Sequence, residues 1–102
     1  MEQSREQAIL ATISAIPTGR LSTYGLIAEA AGYPGNARLV GFLLKKLPTH
    51  STIPWFRVVN AQGKISFPEG TPSFQRQRKA LTREGHPEPL SRQHLRRVIW
   101  PS

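Results

Sequence analysis

A mainly α domain with a small β-hairpin, built around two helices joined by a tight turn, is the fold class this sequence predicts. Three observations carry it. Helix start and stop signals recur along the chain, apolar residues return at helical spacing between them, and one turn-bounded stretch, residues 57–66, has the composition of paired strands. With 102 residues there is room for one core and not for two, so residues 1–102 read as a single domain. The apolar share of 38% is low for a globular chain, but those residues are clustered, which favours a folded domain over a disordered one.

Each element has its own local warrant. Ser4 followed by Gln7 forms a capping-box pattern, and Ile9, Ile13 and Ile16 then recur until Pro17, so a first helix buries one stripe. Thr18-Gly19-Arg20 is a turn. Ser22 reads as the next N-cap, with Leu21 and Leu26 placed as a hydrophobic staple, and this short helix stops at Gly32, two residues before Pro34. Asn36 reads as the cap of a third helix that reaches Leu47 before Pro48, with Val40, Leu43, Leu44 and Leu47 as its core stripe. Two helices around the four-residue turn Gly32-Tyr33-Pro34-Gly35 suggest helix-turn-helix.

Beyond Arg57 the pattern is two strands joined by Asn60-Ala61-Gln62-Gly63, which would make a small wing. Thr71 with Pro72 at N1 opens a helix in which Phe74 and Leu81 face the core, Gln75 to Lys79 are polar and Gly85 closes the element. In the tail, Ser91 caps a short turn of helix before Arg96-Arg97-Val98-Ile99-Trp100.

Net charge is +8, and its distribution is one-sided. Residues 1–35 carry two arginines against three glutamates, whereas residues 36–102 carry twelve Lys or Arg against three glutamates, a net of +9. That is the footprint of a surface that meets a polyanion, and with the helix-turn-helix it gives a winged-helix-like DNA-binding domain; a solvated basic surface is the competing reading. The sequence has no cysteine, so it has no disulfide, no thiolate ligand and no thiol nucleophile. His50, His86 and His94 share no metal-ligand spacing, and no glycine-rich phosphate loop occurs, so neither metal nor cofactor is expected. The longest apolar run, Leu39 to Leu44, cannot span a bilayer and Met1-Glu2-Gln3-Ser4 is no signal peptide, so a soluble protein of the cytoplasm, nucleoid-associated if bacterial, is expected; a monomer is expected as well.

On the third helix Ala37, Gly41 and Lys45 recur at four-residue spacing and make a nearly smooth face ending in a cation. Such a face lets a helix backbone approach DNA, with Lys45 reaching a phosphate; packing of Ala37 and Gly41 against a neighbouring helix is the alternative. The segment Ile53-Pro54-Trp55-Phe56-Arg57-Val58-Val59 has the composition of a chain entering a strand, with Trp55 and Phe56 as core residues on the plainest reading.

That segment also resembles the Pro-Cys-His-Arg-Val active-site motif of the O6-alkylguanine-DNA alkyltransferases, with Trp55 where the cysteine nucleophile stands, the substitution that marks the alkyltransferase-like proteins. The likeness continues through Leu21-Ser22-Thr23-Tyr24-Gly25-Leu26-Ile27-Ala28, Asn36-Ala37-Arg38-Leu39-Val40-Gly41 and Glu84-Gly85, about residues 5–86 in all. It implies a protein that binds duplex DNA in the minor groove, rotates O6-alkylguanine out of the stack and flags it for nucleotide excision repair. By the same resemblance Arg38 enters the stack as a finger, Tyr24, Trp55, Val58 and Pro54 line the lesion pocket, and the backbone around Val58 bonds the base edge. The DNA-contacting set is expected to comprise Thr23, Asn36, Ala37, Leu39, Gly41 and Lys45. Taken singly, Arg38 also reads as a surface ion-pair partner of Glu29, and Tyr24 as a half-buried phenol meeting water.

An indole is neither acidic nor nucleophilic enough for alkyl transfer, so enzymatic activity is not expected; it offers a broad apolar plate against a purine and its alkyl group. Three positions depart from the family pattern. Phe56 stands where a histidine base would connect to Glu84, Leu47-Pro48 replaces an Asn-Pro turn, and Leu39 replaces a small residue on the third helix. The competing functional reading is a helix-turn-helix regulator or architectural protein without lesion specificity. A true suicide alkyltransferase is opposed by the missing thiol.

Overall fold

The computed structural model describes residues 3–102; Met1 and Glu2, half of the N-terminal tetrapeptide considered above, lie outside the described residues. Helix α1 spans Arg5–Ser14, and its capping box is formed: the Ser4 hydroxyl accepts from the Gln7 N–H at 3.1 Å while the Gln7 side chain accepts from the Ser4 N–H at 3.0 Å. Ile9, Ile13 and, just beyond the helix, Ile16 are buried, as the spacing predicts.

Strand β1 is the dipeptide Ser22–Thr23 and leads directly into α2, Tyr24–Ala30. The α2 cap is therefore Thr23 and not Ser22: the Thr23 hydroxyl accepts from the Leu26 N–H at 3.2 Å. Ser22 is excluded from that role because the strand turns its side chain into the core, where its hydroxyl has no partner. At the other end the chain closes with the Tyr33 N–H on the Ala28 carbonyl and the Gly32 N–H on the Glu29 carbonyl, a double bond pattern that requires the left-handed φ of +93° at Gly32. Helix α3, Ala37–Lys45, completes the helix-turn-helix. It ends two residues before Leu47, and Asn36 holds the cap position without capping: its amide nitrogen donates instead to the Tyr33 and Pro34 carbonyls, fixing the turn rather than the helix.

Trp55–Arg57 form one turn of 3₁₀-helix, not the start of a strand, and β2 is confined to Val58–Val59. β2 pairs in parallel with β1, Ser22 opposite Val58 and Thr23 opposite Val59, so the expected hairpin of residues 57–66 is replaced by a long-range two-stranded sheet. The predicted turn at Asn60–Gly63 does exist, with the Gly63 N–H on the Asn60 carbonyl. The Asn60 side-chain oxygen takes the N–H groups of Gln62 and Lys64 and the Asn60 N–H bonds the Lys64 carbonyl, but no second strand follows among the described residues, so the turn opens no wing.

Helix α4, Pro72–Arg83, starts at Thr71, whose hydroxyl accepts from the Phe74 N–H. Helix α5, Arg92–Val98, is capped by Ser91 as expected. The tail beyond it runs beside β1: Leu21 donates to the Val98 carbonyl and accepts from the Trp100 N–H at 2.8 Å. Two cores result. Ile9, Ile13, Ile16, Ile27, Val40 and Val58 fill the one under the helix-turn-helix, while Leu21, Val59, Leu81 and Leu95 join the sheet to α4 and α5. Val58 and Val59 point to opposite faces, as successive strand residues must, so β2 stitches the two cores together. No helix among the described residues is long and apolar enough to cross a membrane.

Candidate nucleic-acid interface and lesion site

The 3₁₀ turn that carries Trp55 is held from behind. Gln77 on α4, only 2% exposed, donates through its amide nitrogen to the Phe56 carbonyl at 3.1 Å and to the Val58 carbonyl at 3.0 Å. Sequence reasoning placed Gln77 in a polar stretch and missed it; its position four residues before Leu81, on the same buried stripe, was the available signal. A buried carboxamide with both carbonyls in reach fixes the backbone on either side of Arg57, so the indole hangs from a rigid turn.

Arg57 is the second brace. Its side chain is 14% exposed and that of Glu84 11% exposed, with Nη2 to Oε2 at 2.5 Å and Nε to the two carboxylate oxygens at 3.0 and 3.1 Å. Arg57 also donates to the Ile16 carbonyl at 2.8 Å and to the Thr18 hydroxyl at 3.1 Å, and Glu84 accepts from the Gly19 N–H. Burial pushes the Glu84 carboxyl up, but the Arg57 and Gly19 hydrogen bonds and the positive charge nearby outweigh it and leave the group below its ordinary range. Phe56 supplies no base, as the sequence showed, and Glu84 is committed to Arg57.

Trp55 is half-buried and not sealed into the core. It meets Phe56 and Phe67 edge-on, ring centroids 6.1 and 6.3 Å away. A cleft of about 270 Å³ opens between Ile65, Phe67, Phe74, Leu81, His86 and Leu90, and a second of about 420 Å³ lies along the solvent side of α4; Trp55, Tyr24 and Arg38 line neither. Phe67 both meets Trp55 and walls the first cleft.

The other expected site residues are distributed as follows. Tyr24 begins α2, packs on the first core, and its ring lies 3.8 Å from where a Cβ on Gly41 would stand, so Gly41 meets the tyrosine across the helix pair. Arg38 is exposed at the start of α3 and takes part in neither ion pair found among the described residues, Arg57–Glu84 and Arg78–Glu88; the alternative pairing with Glu29 is not formed. Lys45 is exposed at the end of α3, whereas Leu39 packs against the first core and Ala37 is half-buried. Thr23 is engaged as the α2 cap and Asn36 in the turn. Pro54 precedes the 3₁₀ turn; Val58 is buried, with its N–H on the Trp55 carbonyl and its own carbonyl on Gln77.

The tertiary fold also assembles what the linear spacing did not show. Nδ1 of His86, 6% exposed, is 2.8 Å from Nε2 of His94, bringing the end of α4 and α5 together. Burial, then the charge of His94, lowers the His86 pKa against an upward pull from Glu84; burial and Arg97 lower that of His94. His50 is elsewhere on the surface, and no group of three metal-ligating side chains occurs among the described residues.

A helix-turn-helix whose second helix presents exposed cations, in a chain that carries Trp55 where the resembling motif has a thiol, has the architecture of an alkyltransferase-type DNA-binding domain. Residues 4–86 match the sequence profile of the 6-O-methylguanine DNA methyltransferase DNA-binding domain, and the chain belongs to that family, in its alkyltransferase-like branch. It is 48% identical over 93 residues to a DNA base-flipping protein of Vibrio parahaemolyticus, covering 90% of this chain and 91% of that one. Alkyltransferase-like protein 1 of Schizosaccharomyces pombe is 44% identical over 70 residues, 69% of this chain and 65% of that one. The crystal structure of S. pombe Atl1 in complex with damaged DNA containing O6-carboxymethylguanine superposes over the whole of both chains with a TM-score of 0.82 and 31% identity. The Mycobacterium tuberculosis OGT in complex with DNA matches 82% of this chain and 51% of its own, at a TM-score of 0.69 and 32% identity.

Proposed function

We propose that this protein is a non-enzymatic recogniser of O6-alkylguanine in duplex DNA. The observation that supports it most is Trp55 itself: a half-buried indole on a turn braced by Gln77 and by the Arg57–Glu84 pair, in a chain with no cysteine. A rigid apolar plate binds without reacting. Each methylene of an alkyl group laid against it contributes about 0.8 kcal/mol, so binding tolerates lesions of different size. Tyr24 and Pro54 form the remainder of the proposed pocket, and Val58, itself buried, backs its wall.

Arg38 is the proposed finger. Rotating a nucleotide out of the duplex costs a few kcal/mol, and a guanidinium plane that fills the gap lowers that cost by restoring stacking. With no ion pair to a described residue, its guanidinium is available for insertion. Lys45 meets a phosphate, and the close contact of α3 with Tyr24 at Gly41 couples seating of that helix to the pocket wall. The protein acts as a monomer, and retention of the lesion without repair hands it to nucleotide excision repair proteins.

Affinity for two duplexes that differ by one O6-methyl group tests the proposal. Tighter binding of the alkylated duplex, with no alkyl label left on protein, is expected. Equal affinity would move the protein to the class of helix-turn-helix regulators or architectural proteins, and covalent label would overturn the role given to Trp55. Excision of the lesion in a reconstituted repair reaction that is not stimulated by the protein would remove the last step.

A further inference from the structure

Among the described residues Phe42 is the large hydrophobic side chain that the fold leaves in water, 53% exposed at the centre of α3. Four residues before it stands Arg38, and three and four residues after it stand Lys45 and Lys46, all exposed, so the phenyl ring rides the same helix face as the cations. The Lys46 ammonium lies 4.4 Å above the ring centroid. Gly41, on the face that reads as smooth from Ala37, Gly41 and Lys45, turns toward Tyr24, and the helix face next to it carries a bulky aromatic knob.

A single exposed phenyl among cations, with no second exposed large hydrophobic side chain among the described residues, is a poor start for a protein-docking patch. It suits a polyanion that offers apolar slots, and duplex DNA is one: phosphates flank the minor groove, and its base steps open to apolar wedges such as phenylalanine. Four helical residues place Arg38 and Phe42 about 6 Å apart along the axis, close to two base-pair rises of about 3.4 Å each. The two side chains need not compete for one gap.

We propose that Phe42 is a second intercalating side chain, an apolar wedge that enters a base step near the one Arg38 occupies and sets the bend of the DNA. The proposal rests on α3 facing the minor groove, as put forward above. It assigns the two side chains different tasks: Arg38 replaces the rotated base and so reads the lesion, while Phe42 prises the stack and so acts on any duplex. Lys46 holds the ring over the helix until DNA displaces it.

End-labelled duplexes of one sequence, with and without a single O6-methylguanine, report bending by energy transfer and affinity by titration. Phe42→Ala is expected to leave thermal unfolding unmoved, to straighten both duplexes, and to weaken binding to both by about tenfold, keeping the ratio between them. Phe42→Leu, still a wedge, is expected to retain most of the bend. Arg38→Ala is expected to do the opposite to the ratio, collapsing it. A bend unchanged in Phe42→Ala, whatever the affinity does, or a wild-type protein that does not bend DNA, overturns the wedge. A wild-type protein that binds both duplexes equally sinks lesion recognition but leaves the Phe42 comparison on plain duplex readable.

Discussion

Replacing Glu84 by glutamine should show how much of the protein's stability, and of the indole's seat, depends on one buried ion pair. The carboxylate accepts Arg57 Nη2 at 2.5 Å, Arg57 Nε at 3.0 and 3.1 Å and the Gly19 N–H at 3.1 Å. Glutamine keeps the shape and one acceptor but leaves a largely buried guanidinium without its counter-ion. Removing one partner of a buried pair costs about 3–5 kcal/mol; the residual exposure of 14% and 11% and the surviving carboxamide oxygen place Glu84→Gln at the lower end, about 3 kcal/mol. For a chain of this size each kcal/mol moves Tm by about 4–8 °C, so a fall of about 12–24 °C is expected.

Urea unfolding at neutral pH measures the loss, and the same experiment in acid tests its origin. The folded pKa of Glu84 lies below its unfolded value, so its contribution is present above the ordinary carboxylate pKa of 4.5 and disappears as pH falls through the folded value. Wild-type stability should therefore decline in that window and that of Glu84→Gln should decline less. A cost under about 1 kcal/mol, the value of an exposed pair, would refute the reasoning. The double variant Arg57→Met with Glu84→Leu should be more stable than Glu84→Gln alone, since no charge is then left unpaired.

Other consequences can be checked together. Gly63→Ala should be more damaging than Gly70→Ala: both glycines have positive φ, +81° and +85°, but a Cβ at Gly63 would stand 2.6 Å from the Ser91 carbonyl oxygen while one at Gly70 meets nothing within 4 Å. Backbone strain alone is worth about 1–3 kcal/mol, and urea midpoints of the two variants give the difference. The His86–His94 contact should make the protein acid-sensitive: both pKa values are lowered from 6.5, so the stability from keeping the rings neutral is present above 6.5 and is lost as pH falls toward the folded values. Unfolding free energies on either side of that range should show a drop that His94→Gln reduces. Trp55→Cys should not restore alkyl transfer, because Phe56 supplies no base and Glu84 is held by Arg57; stoichiometric labelling of that variant by alkylated DNA would contradict this. Lys45→Ala should weaken binding to all duplexes alike and reduce the salt slope by about 1, read from titrations at several salt concentrations.

The amino-acid sequence by itself determined what is local. Ser4 with Gln7, Thr71 with Pro72, Gly32 and the tail cap Ser91 fixed where helices begin and end, because a cap is decided by hydrogen bonds to groups two or three residues away. The isoleucine stripe of α1, the one-sided charge and the missing thiol were legible for the same reason: each is a property of neighbours in the chain or of the inventory as a whole, while the place of Trp55 was read from the resemblance of its segment to a family motif. The tertiary structure alone decided what depends on distant partners. Val58 and Val59 pair with Ser22 and Thr23 instead of a hairpin neighbour, which moves the α2 cap to Thr23. Gln77 turns inward because two backbone carbonyls across the fold need a donor, Arg57 finds Glu84 twenty-seven residues away, and His86 meets His94. Phe42 stays outside because the α1–α2–α3 core is already filled by Val40 and its neighbours. Periodicity gives a residue its helix face, but which faces find a partner is settled only when the whole chain has packed.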